Sequence, residues 1–279
     1  MLTVYQKYPS DLTDQQWDII RRLVPRARVG GRPRTTDVRK VINAVFYLCR
    51  TGCAWRYLPK HFGPWQTIYD YFSQWRRKGF WKKLNDVLSM KARIEAKKLR
   101  SPSVLIIDSQ SIRAPQGKDR GYDGFKKLRG RKRHLLVDTL GLIHSLKVHP
   151  ANQPDSAYGG LVFKDLNKPR LSRIYADLGY RGAFVQKTLE TFGFKPEMPP
   201  TNPLSGQGKP KTAKAKLANR RLRGVPKKRW IVERTFAWFN HYRRLSKDYE
   251  RLPDTSESMI YLAMSQLILR RLAPPEKLL

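Results

Sequence analysis

Cysteine is almost missing from this chain: Cys49 and Cys53, in "YLCRTGCAW", are the only two. A scaffold of several disulfides is excluded. With His61 the one imidazole nearby, the pair falls short of the four ligands of a structural zinc site and reads as two reduced, partly buried thiols. Long apolar runs are missing too, and no stretch approaches the roughly 18 residues of a membrane-spanning helix. The start, "MLTVYQKYPSDLTD", has no basic segment followed by an apolar one. No signal peptide is therefore expected, and the expected location is the cytoplasm, in association with the nucleoid. Acid is the third scarcity: 22 Asp and Glu stand against 57 Lys and Arg. Residues 199–228 contain no acid at all and read as a basic Pro/Gly/Lys-rich loop.

What is present narrows the class. The chain has 279 residues, 40% of them apolar, enough to bury a core in one or two domains. Its net charge of +35 calls for a polyanionic partner, either nucleic acid or an anionic membrane surface. Seven Trp with many Tyr and Phe are interleaved with that charge, which favours nucleic acid, where cations meet phosphates and rings stack on exposed bases.

Two regions differ in periodicity. Residues 1–90 read as helices: "LTDQQWDIIRRLVP" behind a Thr13 cap, "TTDVRKVINAVFYLCRTG" stopping at Gly52, "GPWQTIYDYFSQWRRKG" ending at Gly79, then "FWKKLNDVLSMKARIEAKKL". Short helices with tight turns predict a helix-turn-helix-like DNA-binding module. Arg76, Arg77, Lys78, Lys82 and Lys83 cluster around the last turn. A helical dimerisation or scaffold domain would carry the same pattern. After a linker at 91–103, residues 104–272 read as α/β. "SVLIIDSQSI" predicts a buried strand ending at Asp108, and "RKRHLLVDTLGLIHSLKVHP" a hairpin turning at Thr139-Leu140-Gly141. "QPDSAYGGLVFKDL" predicts a helix, "LSRIYADLGY" a fourth strand closing on Asp177, "RGAFVQKTLETFG" a helix and "FKPEMP" a short fifth strand. Two helices follow, "RWIVERTFAWFNHYRR" with Glu233 at its middle and "SESMIYLAMSQLILRRL".

In a sheet ordered 3-2-1-4-5 the strands carrying Asp108 and Asp177 are neighbours, and ligands of open α/β sheets collect beyond such strand ends. A helix packed on that sheet would bring Glu233 to the same point. Three carboxylates so close cannot all stay ionised without a cation among them. Mg²⁺, or Mn²⁺, suits such oxygens, and two ions about 4 Å apart can activate an attacking oxygen and stabilise the leaving oxygen of a phosphodiester. Taken one by one, an Asp at a strand end also serves as a turn or cap residue, and a Glu among arginines as half of a solvated pair. Asp123, Asp138, Asp155 and Asp165 compete for the same role.

The segments "LIIDSQSIR", "KKLRGRKRHLLVDTLGLIHSLKVHPAN", "RIYADLGYRG" and "WIVERTFAWFNHYRRLSKDYE" resemble the bacterial insertion-sequence DDE transposases, in the family named for insertion sequence five. The N-terminal "LTDQQWDIIRRLVP", "CAWRYLP" and "RRKGFWKKL" resemble that family's helical domain, so the likeness covers almost the whole chain. It implies a ribonuclease H-like catalytic domain with a mixed five-stranded sheet, and Asp108, Asp177 and Glu233 as catalytic metal ligands. Related enzymes carry Tyr, two residues, Arg, three residues, Glu, six residues, Lys. Arg229 and Glu233 match, whereas Pro226 and Asn240 stand at the Tyr and Lys positions.

The expected function is a transposase. It would bind the terminal inverted repeats of its element, cut DNA with bound Mg²⁺ or Mn²⁺, and join the freed 3′ hydroxyl to target DNA, acting as a homodimer on DNA. Arg229, Arg243 and Arg244 are expected at phosphates near the cut. The run Lys126, Lys127, Arg129, Arg131, Lys132 and Arg133 is expected along the duplex, and Arg76, Arg77 and Lys78 in the helical domain. Two alternatives stand beside this: an inactive DNA-binding protein retaining the fold, and a metal-dependent nuclease without strand transfer.

Overall fold

Residues 8–27, 30, 33–164, 166–199 and 225–275 are described by a computed structural model. The basic loop expected at 199–228 and the competing acid Asp165 lie wholly or largely outside them. The chain forms two units. One draws on Met1–Lys98, Pro115–Gly117 and Phe239–Leu279, the other on Leu99–Ala114 and Lys118–Trp238.

The first unit is helical. Helix α1 (Asp14–Ile20) starts at Thr13, whose hydroxyl accepts from Gln16 N while the Gln16 side chain accepts from Thr13 N. This reciprocal capping box satisfies two N–H groups that would otherwise lack partners. Helix α2 (Val38–Thr51) is capped by Asp37 and stops at Gly52, and α3 (Trp65–Arg77) and α4 (Phe80–Glu95) meet around Gly79 as their punctuation predicts. The final helix, named α8 here (Pro253–Leu272), is buried along most of its length. It belongs to this unit and not to the α/β region where the sequence boundary of 104–272 had placed it. Its connections explain why. Gln16 Nε2 donates to Ala273 O at 2.8 Å and Gln266 Nε2 to Ser10 O at 2.8 Å, while Met259, Ile260, Leu262, Met264 and Leu269 are fully buried.

The second unit is a mixed sheet with helices. Strand β1 (Val104–Arg113) pairs antiparallel with β3 (Leu128–Val137), which also pairs with the short β2 (Gly121–Asp123) and with β4 (Ile143–Pro150); β5 (Arg173–Tyr175) pairs parallel with β1. The order of the long strands agrees with the expected one. Three details differ. Strand β1 continues past Asp108 to Arg113, because β3 remains its antiparallel partner along that whole length. The fifth strand is a single parallel bridge, Tyr175 to Glu197. The helix expected after Pro154 is one α turn, α5 (Asp155–Tyr158), followed by a 3₁₀ segment through the poor helix formers Gly159 and Gly160. Helices α6 (Ala183–Phe192) and α7 (Val225–Phe239) complete the unit.

The alternation of side chains along a strand gives the sheet two faces. Leu105, Ile107, Ile174 and Ala176 point into a core with Val162, Phe163, Tyr180 and Phe184. Ile106, Asp108, Tyr175 and Asp177 therefore belong to the opposite face. Helix α7 is tied to that side: Lys228 Nζ donates to the Tyr175 hydroxyl at 3.2 Å and lies 4.7 Å from the centre of its ring.

Candidate active site

Parallel pairing ends at Ile106–Tyr175. Asp108 and Asp177 each lie two residues beyond that last pair, so the register sets them side by side where β5 stops. Asp177 turns the chain there, its carboxylate accepting from Gly179 N at 2.8 Å. Asp108 Oδ1 accepts from Ser109 N at 2.8 Å. Glu233 comes from α7, whose Ile231, Val232, Thr235 and Phe236 are buried while Glu233 stays 57% exposed. The helix is fixed to the β3–β4 turn as well. Thr235 Oγ1 donates to Gly141 O at 3.0 Å, and Arg234 Nη2 donates to Leu140 O at 3.3 Å. Gly141 has φ of +81°, and a Cβ there would stand 2.8 Å from both Thr235 Oγ1 and the Trp238 ring, so the turn and the helix approach closely only because that side chain is missing.

One atom shows the convergence. Arg229 Nη2 lies 3.7 Å from Asp108 Oδ2, 3.7 Å from Asp177 Oδ2 and 3.5 Å from Glu233 Oε1. Three acids from segments far apart in sequence surround one guanidinium nitrogen. Burial pushes the Asp108 carboxyl up to about 6; the Ser109 N–H and Arg229 pull it down, and the charges of Asp177 and Glu233 push it up again. A group so placed prefers a cation beside it or a proton on it.

The donor set suits a hard divalent ion, being all carboxylate with no thiol or imidazole. Among the described residues no group of three such side chains stands close enough to hold an ion as it is. A monovalent, spread-out guanidinium holds the acids at ion-pair distance, whereas Mg²⁺ draws oxygens to about 2.1 Å. The chemistry and the point of convergence fit a divalent ion, and a small inward movement of the carboxylates would complete the site.

A buried polar network adjoins this point. Gly179 lies between two acids: a Cβ there would be 3.1 Å from Asp177 Oδ1 and 3.6 Å from Asp155 Oδ2. Asp155 pairs with Lys132 Nζ at 3.0 Å, and the Tyr180 hydroxyl is 2.8 Å from His134 Nδ1. Burial, then Asp155, Asp108 and Asp177, hold the Tyr180 phenol well above its ordinary pKa; burial, then His149 and Lys132, hold His134 well below its own. Both are neutral at pH 7. In the sequence Asp155 stood out as one of the acids competing for the metal-ligand role, and Tyr180 did not stand out at all. The tyrosine of "DLGYRG", three residues after Asp177, was the available signal.

The expected DNA-contacting residues divide sharply. Lys126, Lys127 and Arg129 are exposed at the β2–β3 hairpin. Arg131, Lys132 and Arg133 are buried within β3, which corrects the expectation that the whole run lies along the duplex. Arg131 Nε donates to Asp119 O at 3.1 Å, and Lys132 Nζ to Gln153 O at 2.9 Å as well as to Asp155. Buried cations need such partners, and long-range sheet pairing supplies them here. Arg244 is likewise committed internally in the helical unit, with Nε 2.7 Å from Glu250 Oε1 and Nη1 donating to Cys53 O at 3.1 Å; this arrangement takes the place of the expected phosphate contact. Arg243, Arg77 and Lys78 are exposed in that unit, and Arg76 pairs with Asp254. Trp230 and Trp238 sandwich Arg234, whose guanidinium carbon lies 4.4 Å and 4.9 Å from their ring centres.

Among the described residues no helix is long and apolar enough to cross a membrane. Residues 99–268 match the model of the "Transposase DDE domain", and residues 12–85 match that described as "Putative transposase of IS4/5 family". An uncharacterized protein, y4sN, of Sinorhizobium fredii is 31% identical over 105 residues, which is 38% of this chain and 78% of that protein. The "Putative transposase for insertion sequence element IS402" of Burkholderia cepacia is 29% identical over 127 residues, 46% of this chain and 44% of that protein. No solved structure matches. The catalytic-domain model spans more than half of the chain, including Asp108, Asp177 and Glu233, and the chain belongs to the insertion-sequence DDE transposases.

Proposed function

We propose that this transposase binds the terminal inverted repeats of its own element, cuts at their ends and joins the freed 3′ hydroxyl to a target phosphodiester, on a ribonuclease H-like fold and as a homodimer on DNA. The observation that carries this reading is the meeting of Asp108, Asp177 and Glu233 around Arg229 Nη2. These three carboxylates would hold two Mg²⁺ ions. Bound there, the ions would supply Lewis-acid stabilisation of negative charge on the attacking and leaving oxygens.

The chain's own residues supply the rest. Asp108 would serve as a ligand in its ionised form, which prevails above about pH 6. Arg229, released from the acids, is a short reach from a phosphate brought to the same point, and Lys126, Lys127 and Arg129 hold the flanking backbone. In cleavage, the oxygen of water bonds to phosphorus, the 3′ oxygen leaves and takes up a proton, and the water proton passes to solvent. In joining, the 3′ hydroxyl takes the place of water.

End-labelled DNA carrying the inverted repeats, incubated with Mg²⁺ and a target plasmid, tests this reading. Wild type yields both nicked and joined products. Asp108→Asn, Asp177→Asn and Glu233→Gln bind the ends and form neither. Nicks without joined product would reduce the activity to that of a nuclease. Cutting by any of the three variants at the wild-type rate would remove that residue from the metal site.

A further inference from the structure

Hairpin β2–β3 is paired Tyr122 to Arg129 and Asp123 to Leu128, leaving Gly124, Phe125, Lys126 and Lys127 as its tip. Asp123 is buried and braces that tip from inside. Its Oδ1 accepts from Phe125 N and from Lys126 N, both at 3.0 Å, and its Oδ2 accepts from the Ser111 hydroxyl of β1. At the base, Gly130 lies so close to Ile112 O that no Cβ fits there. The tip is thus braced through side chain and backbone to the strand that carries Asp108.

This braced tip displays an aromatic ring outward. Phe125 is fully exposed, and Tyr122, on the same hairpin, is 60% exposed. Single exposed apolar residues are commonplace on protein surfaces. Here the ring stands among exposed Lys126, Lys127 and Arg129, and the one acid of residues 121–130, Asp123, is turned inward. A flat apolar surface flanked by cations, with no outward acid on residues 121–130, complements a ligand with a flat apolar face and flanking negative charge. A nucleobase on its phosphate backbone has that chemistry.

We propose that Phe125 is a stacking platform for a nucleobase of the bound DNA, with Lys126, Lys127 and Arg129 holding the phosphates on either side. The proposal rests on the transposase reading and goes beyond it by naming a base contact outside the metal site. Its distance from the chemistry follows from the register. Asp108 pairs with Leu135 and Asp123 with Leu128, so the tip lies seven residues further along β3. At about 3.4 Å per residue that is on the order of 25 Å, or about seven nucleotides of B-DNA.

The full-length protein is titrated into end DNA carrying 2-aminopurine at single positions on either side of the cut. One arm uses the intact duplex, the other a recessed strand that leaves those bases unpaired. Wild type should change the fluorescence of a probe about seven nucleotides from the cut. A signal in the duplex arm identifies a base step opened by the ring, and a signal confined to the recessed arm identifies an unpaired base. Phe125→Ala should abolish the signal and weaken binding by about 5- to 150-fold without changing the salt slope, because stacking releases no counterions. Phe125→Tyr should keep both. The thermal midpoint of all forms should agree, since the ring supports no packing. Wild-type binding and an intact probe signal in Phe125→Ala would overturn the proposal. Failure of wild type to bind the ends at all would instead overturn the transposase reading.

Discussion

Asp108→Asn should stabilise the metal-free protein at neutral and alkaline pH while destroying its activity. The carboxyl is raised from an unfolded value of 3.8 to about 6, with burial the largest cause. An acid whose folded value is raised binds its proton more tightly in the native state. Below about pH 4 it is protonated in both states and contributes nothing. Between about pH 4 and 6 the unfolded chain ionises first, and above about pH 6 the full cost of the buried charge is present. About two units at 1.36 kcal/mol each set that cost on the order of 3 kcal/mol. Asparagine removes the charge and keeps an oxygen for the Ser109 N–H, but loses the attraction of Arg229. A net gain on the order of 1–3 kcal/mol is expected at about pH 8 and almost none near pH 4. Urea unfolding in the presence of chelator, followed by circular dichroism, measures it. Adding Mg²⁺ should reverse the ranking, because an ion bound only by the folded wild type stabilises it by mass action. An unchanged or lower midpoint for the variant at the higher pH, or an equal gain at both, would refute the account of Asp108 as a strained ligand.

Four further outcomes follow from the geometry. Replacing Lys126, Lys127 and Arg129 by Ala should flatten the slope of log K against log salt by about 0.9 for each phosphate left without its cation, with the melting temperature unchanged. Arg131→Ala or Arg133→Ala should instead lower the melting temperature, because those side chains are buried in the sheet. Gly141→Ala should cost on the order of 1–3 kcal/mol and reduce cleavage, since the added methyl strains a positive φ and pushes on the helix that carries Glu233; equal stability by calorimetry would mean that the turn yields. Residues 1–98 expressed alone should remain unfolded by circular dichroism, and fusion to 239–275 should restore helix, because α8 supplies the buried Met259, Ile260, Leu262 and Leu269 of that unit. A cooperative melt of the short fragment would show that its own helices suffice.

Much of this protein was legible in one dimension. The ends of α1, α2 and α3 follow from Thr13, Asp37, Gly52 and Gly79, since a cap acts within one turn of its own residue. The strand order and the acids Asp108, Asp177 and Glu233 followed from element sequence and motif resemblance. The tertiary structure decided what depends on distant partners. Helix α8 looked like the end of the α/β region, yet its apolar surface finds its complement in helices more than 150 residues earlier. "KKLRGRKR" looked like one basic run. The period of a strand and the reach of Asp119, Gln153 and Asp155 turned half of it inward, because a buried cation persists only where a fold brings it acceptors. Arg229 and Glu233 were visible as helical neighbours from the start. That a single guanidinium nitrogen would also meet Asp108 and Asp177 depended on where β5 stops beside β1, and no local pattern in the chain carries that information.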